Sequence, residues 1–264
     1  MTSREGPAGA GTGPVTTRAF QLLEAFSADR RELTLTELAR RADLPLSTAH
    51  RLVSDLTRWG ALERDPTGRY RIGLRLWEVA ALAPRGLALR EQAMPFLEDL
   101  SQVTQENVQL AVREGLEVVY VERIAGRRAV PVLTRVGGRF PMHPTGVGLV
   151  LLAHAPAEVQ EQVLAAPLAR FTPHTLVQPA ELRRALSEVR RVGFAVSDRQ
   201  VTMDSVSVAA PVRGAEGEVV AALSIVIRAD GVPPSSLVPA VQAAARGISR
   251  AVGAPDLRPP HRSG

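Results

Sequence analysis

Residues 44–73, LPLSTAHRLVSDLTRWGALERDPTGRYRIG, combine a helical pattern and a hairpin pattern within one short stretch. Ala49, Leu52 and Val53 repeat at helical spacing. Gly60 should end this helix, because glycine tolerates the left-handed backbone conformation found at helix ends. Two short arginine-bearing segments then flank the sequence Asp-Pro-Thr-Gly at 65–68, which has the residues of a type I turn. The stretch therefore predicts a helix that is followed at once by a basic β-hairpin.

Two more helices are predicted on the N-terminal side of this stretch. Apolar residues at helical spacing predict the first helix, and they are Val15, Ala19, Leu22, Leu23 and Phe26. Thr34 and Glu37 have the spacing of a capping box at the start of the second helix, which should end before Pro45. Three helices and a β-hairpin in this order are typical of a winged helix-turn-helix.

The polar face of the third predicted helix is the best candidate for contact with DNA. In a helix-turn-helix the outward residues of this helix reach base edges and phosphates in the major groove. Arginine can bind guanine through two hydrogen bonds, whereas serine and threonine suit phosphate oxygens. The candidate DNA-binding residues are Arg18, Thr36, Ser47, Thr48, His50, Arg51, Arg58, Arg69 and Arg71.

A structural three-helix domain or a protein-docking module is the alternative interpretation of this region. The net charge of +5 is compatible with nucleic acid but does not demonstrate binding. His50 taken alone is more typical of a solvated surface residue than of a base reader. The clustering of polar and basic residues on the third helix and the hairpin favours DNA binding.

Composition excludes several kinds of chemistry. The chain has 264 residues, no cysteine, and 32 basic residues that are all arginine. Disulfides, thiolate metal ligands, thiol nucleophiles and Schiff-base lysines are therefore excluded. The five histidines have no metal-ligand spacing on one helix, so we expect neither a metal nor another cofactor. No apolar run is long enough to span a bilayer, so we expect a cytoplasmic protein without a membrane partner.

The second half of the chain predicts an α+β domain with a largely antiparallel sheet. A helix is expected from the apolar residues Ala93, Phe96, Leu97, Leu100 and Val103. Alternating residues then predict strands at 107–112 and 116–124, a third strand at 130–136, and a hairpin formed by 205–212 and 218–227. Another helix is expected around 182–189, and Ser235 with Ser236 should cap a final helix.

Two motifs in this half invite an interpretation as an active or nucleotide-binding site. Gly146-Val-Gly148 lacks the third glycine and the preceding strand of a dinucleotide fold, so a small-anion contact or a simple tight turn remains. His143 has no nucleophile near it in sequence, and no Gly-x-Ser-x-Gly motif is present. We therefore expect no catalytic residues and no enzyme activity.

The order and spacing of these motifs resemble the IclR family of bacterial transcriptional regulators over most of the chain. No single motif carries the resemblance, which rests on their succession. The motifs are Arg18-Ala-Phe-Gln-Leu-Leu23, Leu35-Thr-Glu-Leu-Ala39, Leu46-Ser-Thr-Ala-His-Arg-Leu52, Gly68-Arg-Tyr-Arg-Ile-Gly73, Val118-Val-Tyr-Val-Glu-Arg123, His143-Pro-Thr-Gly-Val-Gly148, Leu151-Leu-Ala153, Gly193-Phe-Ala-Val-Ser-Asp198 and Val208-Ala-Ala-Pro-Val212.

The resemblance implies an N-terminal winged helix-turn-helix that is joined by a helical linker to a GAF-like α+β effector domain. With the composition of the ends, it predicts a disordered tail at 1–13, the winged helix-turn-helix at 14–74, a linker helix at 75–86, the effector-binding and oligomerisation domain at 87–254, and a disordered tail at 255–264. The resemblance also implies homodimers or homotetramers on palindromic double-stranded operators. The implied effector-binding residues are Thr145, Gly146, Val147, Asp198, Ser207 and Ser224.

Two functional hypotheses follow from the resemblance. In the first, a small effector, an organic or aromatic acid, binds the second domain and changes the affinity for the operator. In the second, that domain only oligomerises and senses no ligand. Three departures from the family pattern motivate the second hypothesis: Leu149 replaces a basic residue, and the segments 198–204 and 224–228 differ from the usual ones.

Overall fold

The structure is a computed structural model that describes residues 14–27, 29–83 and 87–255. The chain divides into two units, Met1–Pro84 and Arg85–Gly264. The tail predicted at 1–13 lies outside the described residues, and so does the tail predicted at 255–264 apart from Pro255. The final residues of the predicted linker, Pro84 to Gly86, also lie outside them.

The first unit contains the predicted three helices and hairpin, followed by one short helix. Its elements are α1 (Val15–Glu24), α2 (Leu35–Arg41), α3 (Leu46–Trp59), β1 (Leu62–Arg64), β2 (Tyr70–Ile72) and α4 (Leu74–Ala80). Helix α4 covers the first part of the segment that was predicted as a linker helix at 75–86. The order of elements is that of a winged helix-turn-helix, as the sequence predicts.

Local signals in the sequence explain where these helices begin and end. The Thr34 side chain accepts a hydrogen bond from the Glu37 backbone N–H, and the Glu37 carboxylate accepts from the Thr34 backbone N–H, so the predicted capping box is present. Helix α3 ends at Gly60, whose φ of +90° lies in the left-handed region that glycine tolerates. The hairpin then turns at Asp65, whose carboxylate accepts from the Thr67 hydroxyl and the Arg69 N–H.

The core of the first unit joins the helices to the hairpin. Leu33, just before the capping box, exchanges two backbone hydrogen bonds with Tyr70 of β2, so the hairpin is tied to the start of α2. The largest fully buried side chains there are Leu22, Leu33, Leu38 and Leu62. Val15 was assigned to the buried stripe of α1, but it lies at the first helical position and is exposed.

The second unit is built on one six-stranded antiparallel sheet in the order β5-β4-β3-β8-β7-β6. Its elements are α5 (Leu87–Thr104), β3 (Asn107–Glu114), β4 (Glu117–Ala125), β5 (Arg139–Pro141), α6 (Gly146–Ala153), α7 (Ala157–Ala165), α8 (Pro179–Val192), β6 (Ala195–Asp198), β7 (Ser205–Arg213), β8 (Val219–Arg228) and α9 (Pro234–Ala251). The prediction of an α+β domain with an antiparallel sheet is confirmed.

Helices cover both faces of this sheet, so its central strands are buried on both sides. Helices α5 and α9 pack on one face against residues such as Leu110, Val208 and Leu223. Helix α6 packs on the other face, and α8 packs on α6. This arrangement explains why β8 is apolar over most of its length and does not alternate, since a strand with two covered faces needs apolar residues on both.

Two sequence-based predictions about this unit are wrong. Residues 130–136 form no strand, and the edge strand of the sheet is β5 instead. Side chains of β3 hold this segment: the Val130 carbonyl accepts a hydrogen bond from the Asn107 amide, and the Thr134 hydroxyl accepts one from the Gln109 amide. Ser235 and Ser236 do not cap α9, because the helix begins at Pro234 and both lie inside its first turn. The helix predicted from Ala93 to Val103 is present as α5, although Val103 itself is exposed in the last turn.

We predict that replacing Thr34 with alanine lowers the free energy of unfolding of the first unit by about 1 kcal/mol, the usual cost of a lost N-cap. Both tryptophans of the chain, Trp59 and Trp77, lie in that unit, so their fluorescence during urea denaturation reports on it. Thr36→Ala is the control, because Thr36 is exposed in the same turn of α2 and does not cap the helix. Equal destabilisation by the two variants would contradict the capping role.

Candidate functional sites

The polar face of α3 is open to solvent. Ser47, His50 and Arg51 are exposed and Thr48 is half-buried, whereas Ala49 between them is fully buried against the core. Helix α3 therefore presents its first two turns as a polar ridge. Among the described residues, neither His50 nor Arg51 has a hydrogen-bond or ion-pair partner, so both side chains are free to reach an external acceptor.

Three other candidate arginines of the first unit, on α3 and the hairpin, are exposed but already paired. Arg71 bonds the Glu63 carboxylate at 2.8 Å, and Arg58 bonds Asp55 at 3.0 Å. Arg69 lies 3.8 Å from the Glu37 carboxylate. These exposed pairs contribute little stability, so each arginine can exchange its carboxylate for another anion at small cost.

The two remaining candidate DNA-binding residues differ in their surroundings. Thr36 is exposed in the first turn of α2. Arg18 on α1 is half-buried, and its buried Nε has no hydrogen-bond partner within the described part of the chain. The nine candidate residues thus belong to α1, α2, α3 and the hairpin, with Ser47, His50 and Arg51 forming the most accessible group.

The second unit contains a cavity of about 450 Å³, measured with the space at its mouth, between the N-terminus of α6 and the sheet. Four of the six predicted effector-binding residues line it: Thr145, Gly146, Val147 and Ser207. The remaining lining residues come from β3, β4, β6, β7, β8 and two loops, and they are Gln109, Tyr120, Val132, Leu133, Thr134, Ser197, Val201, Thr202, Ser205 and Val226.

Two predicted effector-binding residues are not among those that line the cavity. Asp198 follows Ser197 on β6, and the alternation of the strand turns Ser197 inward and leaves the Asp198 carboxylate exposed beside Arg199. Ser224 is fully buried on β8, directly beside Gln109 and Ala209 in the sheet, and its hydroxyl has no hydrogen-bond partner among the described residues.

Sequence reasoning missed several polar residues of the cavity. Gln109 is buried on a central strand and donates to the Thr134 hydroxyl at 2.6 Å, which holds the segment 130–136 over the sheet. Ser197 donates to the Pro144 carbonyl at 2.6 Å. Burial raises the pKa of Tyr120, whose hydroxyl is hydrogen-bonded to Thr145. For Gln109 the sequence did contain a signal, since Asn107 and Gln109 are polar residues at alternate positions of a central strand.

The start of α6 lies unusually close to strand β7. A Cβ atom built on Gly146 would lie 2.6 Å from the Ser207 hydroxyl oxygen, and one built on Gly148 would lie 2.0 Å from the Met142 carbonyl oxygen. Both glycines are therefore required by close packing, which explains the Gly-x-Gly motif without a nucleotide. The Thr145 hydroxyl oxygen accepts a hydrogen bond from the Gly148 backbone N–H, so the N-terminus of α6 is partly capped.

The electrostatic character of the cavity is neutral and polar. None of the residues that line it is charged, and its polar groups are hydroxyls, one amide and the backbone at the start of α6. Ser207 is only half-buried, and its hydroxyl has no hydrogen-bond partner among the residues that the structure describes. Such a site can hold an acid by hydrogen bonding its anionic group with neutral donors.

The His143 side chain makes a hydrogen bond within the fold of the second unit. Its Nε2 lies 2.9 Å from the Ala169 carbonyl oxygen and donates to it, since a carbonyl oxygen can only accept. Burial lowers the pKa of the ring. The described residues contain no group of three or more potential metal ligands. No helix in the described part of the chain is long and apolar enough to cross a membrane.

Comparison with known proteins gives two family matches. Residues 15–66 match the IclR helix-turn-helix domain, and residues 82–250 match the bacterial transcriptional regulator IclR C-terminal domain. The second match begins at residue 82, close to the division of the structure after Pro84.

Similar proteins support the same assignment over nearly the whole chain. The HTH-type transcriptional regulator XynR of Escherichia coli is 32% identical over 243 residues, which are 90% of this chain and 96% of XynR. An IclR homolog from Microbacterium hydrocarbonoxydans, solved in complex with 4-hydroxybenzoate, is 40% identical with a TM-score of 0.86 and covers 90% of this chain and 99% of its own. The Thermotoga maritima IclR structure is 26% identical with a TM-score of 0.74, covering 90% and 98%. This chain belongs to the IclR family of bacterial transcriptional regulators.

Proposed function

We infer that this regulator binds a palindromic operator as a homodimer or homotetramer and that an organic or aromatic acid in the cavity of the second unit changes its operator affinity. The observation that carries the effector assignment is the uncharged cavity beside α6, in a chain that is 40% identical to a protein solved with 4-hydroxybenzoate. The exposed polar face of α3 supports the assignment to DNA.

The DNA-binding step is supported by the division of the arginines into free and paired ones. Arg51 has no partner among the described residues and lies on the polar ridge of α3, which suits a bidentate contact with guanine. Arg69 and Arg71 lie on the hairpin, exposed and paired only weakly, which suits phosphate contacts. Phosphate contacts release counterions, so operator affinity should fall as the salt concentration rises.

Effector binding is supported by the lining of the cavity, which combines apolar side chains with hydroxyl groups. Val147, Val201 and Val226 offer apolar surface for a ring, while Ser207, Thr202 and Ser205 offer hydroxyls for a carboxylate or a phenol. An effector changes operator affinity only if it binds one arrangement of the protein more tightly than another. The segment 130–136 is held over the cavity by few hydrogen bonds, so its position can depend on the ligand.

The homodimer is supported by apolar side chains of α4 that the described residues of the first unit leave largely exposed. Helix α4 has no buried residue, and Leu74, Trp77 and Val79 are each more than half exposed. An amphipathic helix with an uncovered apolar face needs a partner surface. A second copy of the chain supplies one and also explains a two-fold symmetric operator, because the symmetry of the DNA site mirrors that of the protein.

We predict that Arg51→Ala lowers the affinity for the specific operator by about 1–3 kcal/mol, the scale of a bidentate base contact. Fluorescence anisotropy with a duplex selected by the purified protein from random sequence would measure it. Arg184→Ala is the matched control, because it removes the same charge from an exposed position on α8. Equal losses in the two variants would show that net charge alone is responsible.

We predict that 4-hydroxybenzoate binds the cavity and that Ser207→Ala weakens this binding about tenfold or more, since a hydrogen bond to a charged group is lost. Isothermal titration calorimetry would measure both affinities. Ser187→Ala, at an exposed position on α8, should bind as the wild type does. The absence of binding for a panel of aromatic and aliphatic acids would instead favour a second domain that only oligomerises.

We predict that Val79→Glu on α4 shifts the protein from dimer to monomer, because it places a charge in the proposed apolar contact. Sedimentation velocity over a range of concentrations would show the change in mass. Val103→Glu is the control, since Val103 is 82% exposed on α5 in the other unit. An unchanged mass distribution for Val79→Glu would place the subunit contact elsewhere.

A further inference from the structure

A second concavity lies at the other end of strand β7, away from the cavity beside α6. Strand β6 pairs with only the first part of β7, residues 206–209, so the segment from Ala210 to Arg213 has no strand beside it on that edge. The gap is bounded by the last turns of α9 and by Gly193 at the end of α8. It measures about 810 Å³, including the space open to solvent.

Three arginines line this concavity without an acidic side chain among the described residues around it. They are Arg213 on β7 and Arg246 and Arg250 on α9. Arg246 and Arg250 are exposed and four residues apart, so their guanidinium groups share one face of the helix. Like charges at this spacing repel each other, and an anion between them would remove the repulsion.

The pairing of these arginines differs from that of other arginines in the unit. Arg183, Arg191 and Arg228 each bond a carboxylate within 3.0 Å. Arg213 instead donates to the Gly217 carbonyl, and no carboxylate is bonded to Arg246 or Arg250 in the described part of the chain. A single arginine in the last turn of α9 would be explained by the helix dipole, but a cluster of three is not.

The charge of Arg213 also acts on a neighbouring histidine. His154, at the end of α6, has a pKa that is lowered first by burial and then by the charges of Arg213 and Arg190. The uncharged part of the lining includes the small residues Ala210, Ala245 and Ala254. The arginines are therefore the only charged residues among those that line the concavity.

We propose that this concavity is a second ligand site, for a small molecule carrying several phosphate charges, such as an oligophosphate or a phosphate ester. Planar guanidinium groups bind phosphate oxygens through pairs of hydrogen bonds, and three of them match a ligand with more than one negative charge. The site shares no lining residue with the cavity beside α6, so both sites can be occupied at the same time.

The test is a calorimetric titration of the full chain with inorganic tripolyphosphate, and with inorganic phosphate as the less charged probe. The winged helix-turn-helix also attracts phosphate, so the titrations use an Arg51→Ala, Arg69→Ala background. In that background we expect tripolyphosphate to bind more tightly than phosphate. The added pair Arg246→Ala, Arg250→Ala should weaken binding of tripolyphosphate by roughly tenfold or more, as expected for lost hydrogen bonds to a charged group.

Matched variants distinguish a built site from general attraction. Arg184→Ala with Arg191→Ala removes two exposed charges from α8 and should leave the affinity unchanged. Arg246→Lys with Arg250→Lys keeps the charge but loses the bidentate geometry, so its affinity should be intermediate. Equal weakening by the α8 pair, or no binding of tripolyphosphate at all, would overturn the proposal.

Two further measurements separate a small phosphate ligand from other occupants of the arginine cluster. Duplex DNA binding by Arg246→Ala, Arg250→Ala should equal that of the wild type at every salt concentration, and a loss there would make the concavity a DNA contact. The mass in sedimentation should also be unchanged. A change of mass would make the concavity a subunit interface, and either result contradicts a small-molecule site.

Discussion

The second unit depends on the burial of one short apolar helix against its sheet. All eight residues of α6, Gly146–Ala153, are buried, which is possible only because both sides of the helix are covered by protein. Glycine at its first and third positions permits the close approach to β7 and to the Met142 carbonyl. Because the helix begins on the sheet itself, its N-terminus becomes a wall of the cavity. The same packing that stabilises the domain therefore creates the proposed effector site.

The first unit separates its stabilising contacts from its accessible ones. The buried face of α3, through Ala49, Leu52 and Val53, holds the helix on α2 and the hairpin. The Leu33–Tyr70 hydrogen bonds fix the hairpin to the helical part. These contacts use only the apolar face of α3 and backbone groups of the hairpin. The polar face of α3 therefore takes no part in the packing of the unit. Changes of base preference can then occur on that face with little effect on folding.

The sequence predicted the features that depend on local chemistry. The capping box of Thr34 and Glu37, the glycine end of α3 and the Asp65 turn involve residues close in sequence, so their geometry follows from residue type. Prediction from the sequence failed where contacts with residues far away in the chain decide the local structure. The segment 130–136 has the composition of a strand, but side chains of β3 hold it in a loop, and β6 was not predicted as a strand because four residues give little periodicity.

The candidate sites divide in the same way. The sequence alone determined which side chains of α3 face outward, because helical periodicity fixes that once the apolar stripe is known. It also placed Thr145, Gly146, Val147 and Ser207 through the resemblance to a family. Only the tertiary structure decided that Gln109, Tyr120 and Ser197 meet them, that Asp198 points away, and that three arginines from β7 and α9 converge. Sheet register and helix packing bring these residues together, and neither is encoded in any short stretch of chain.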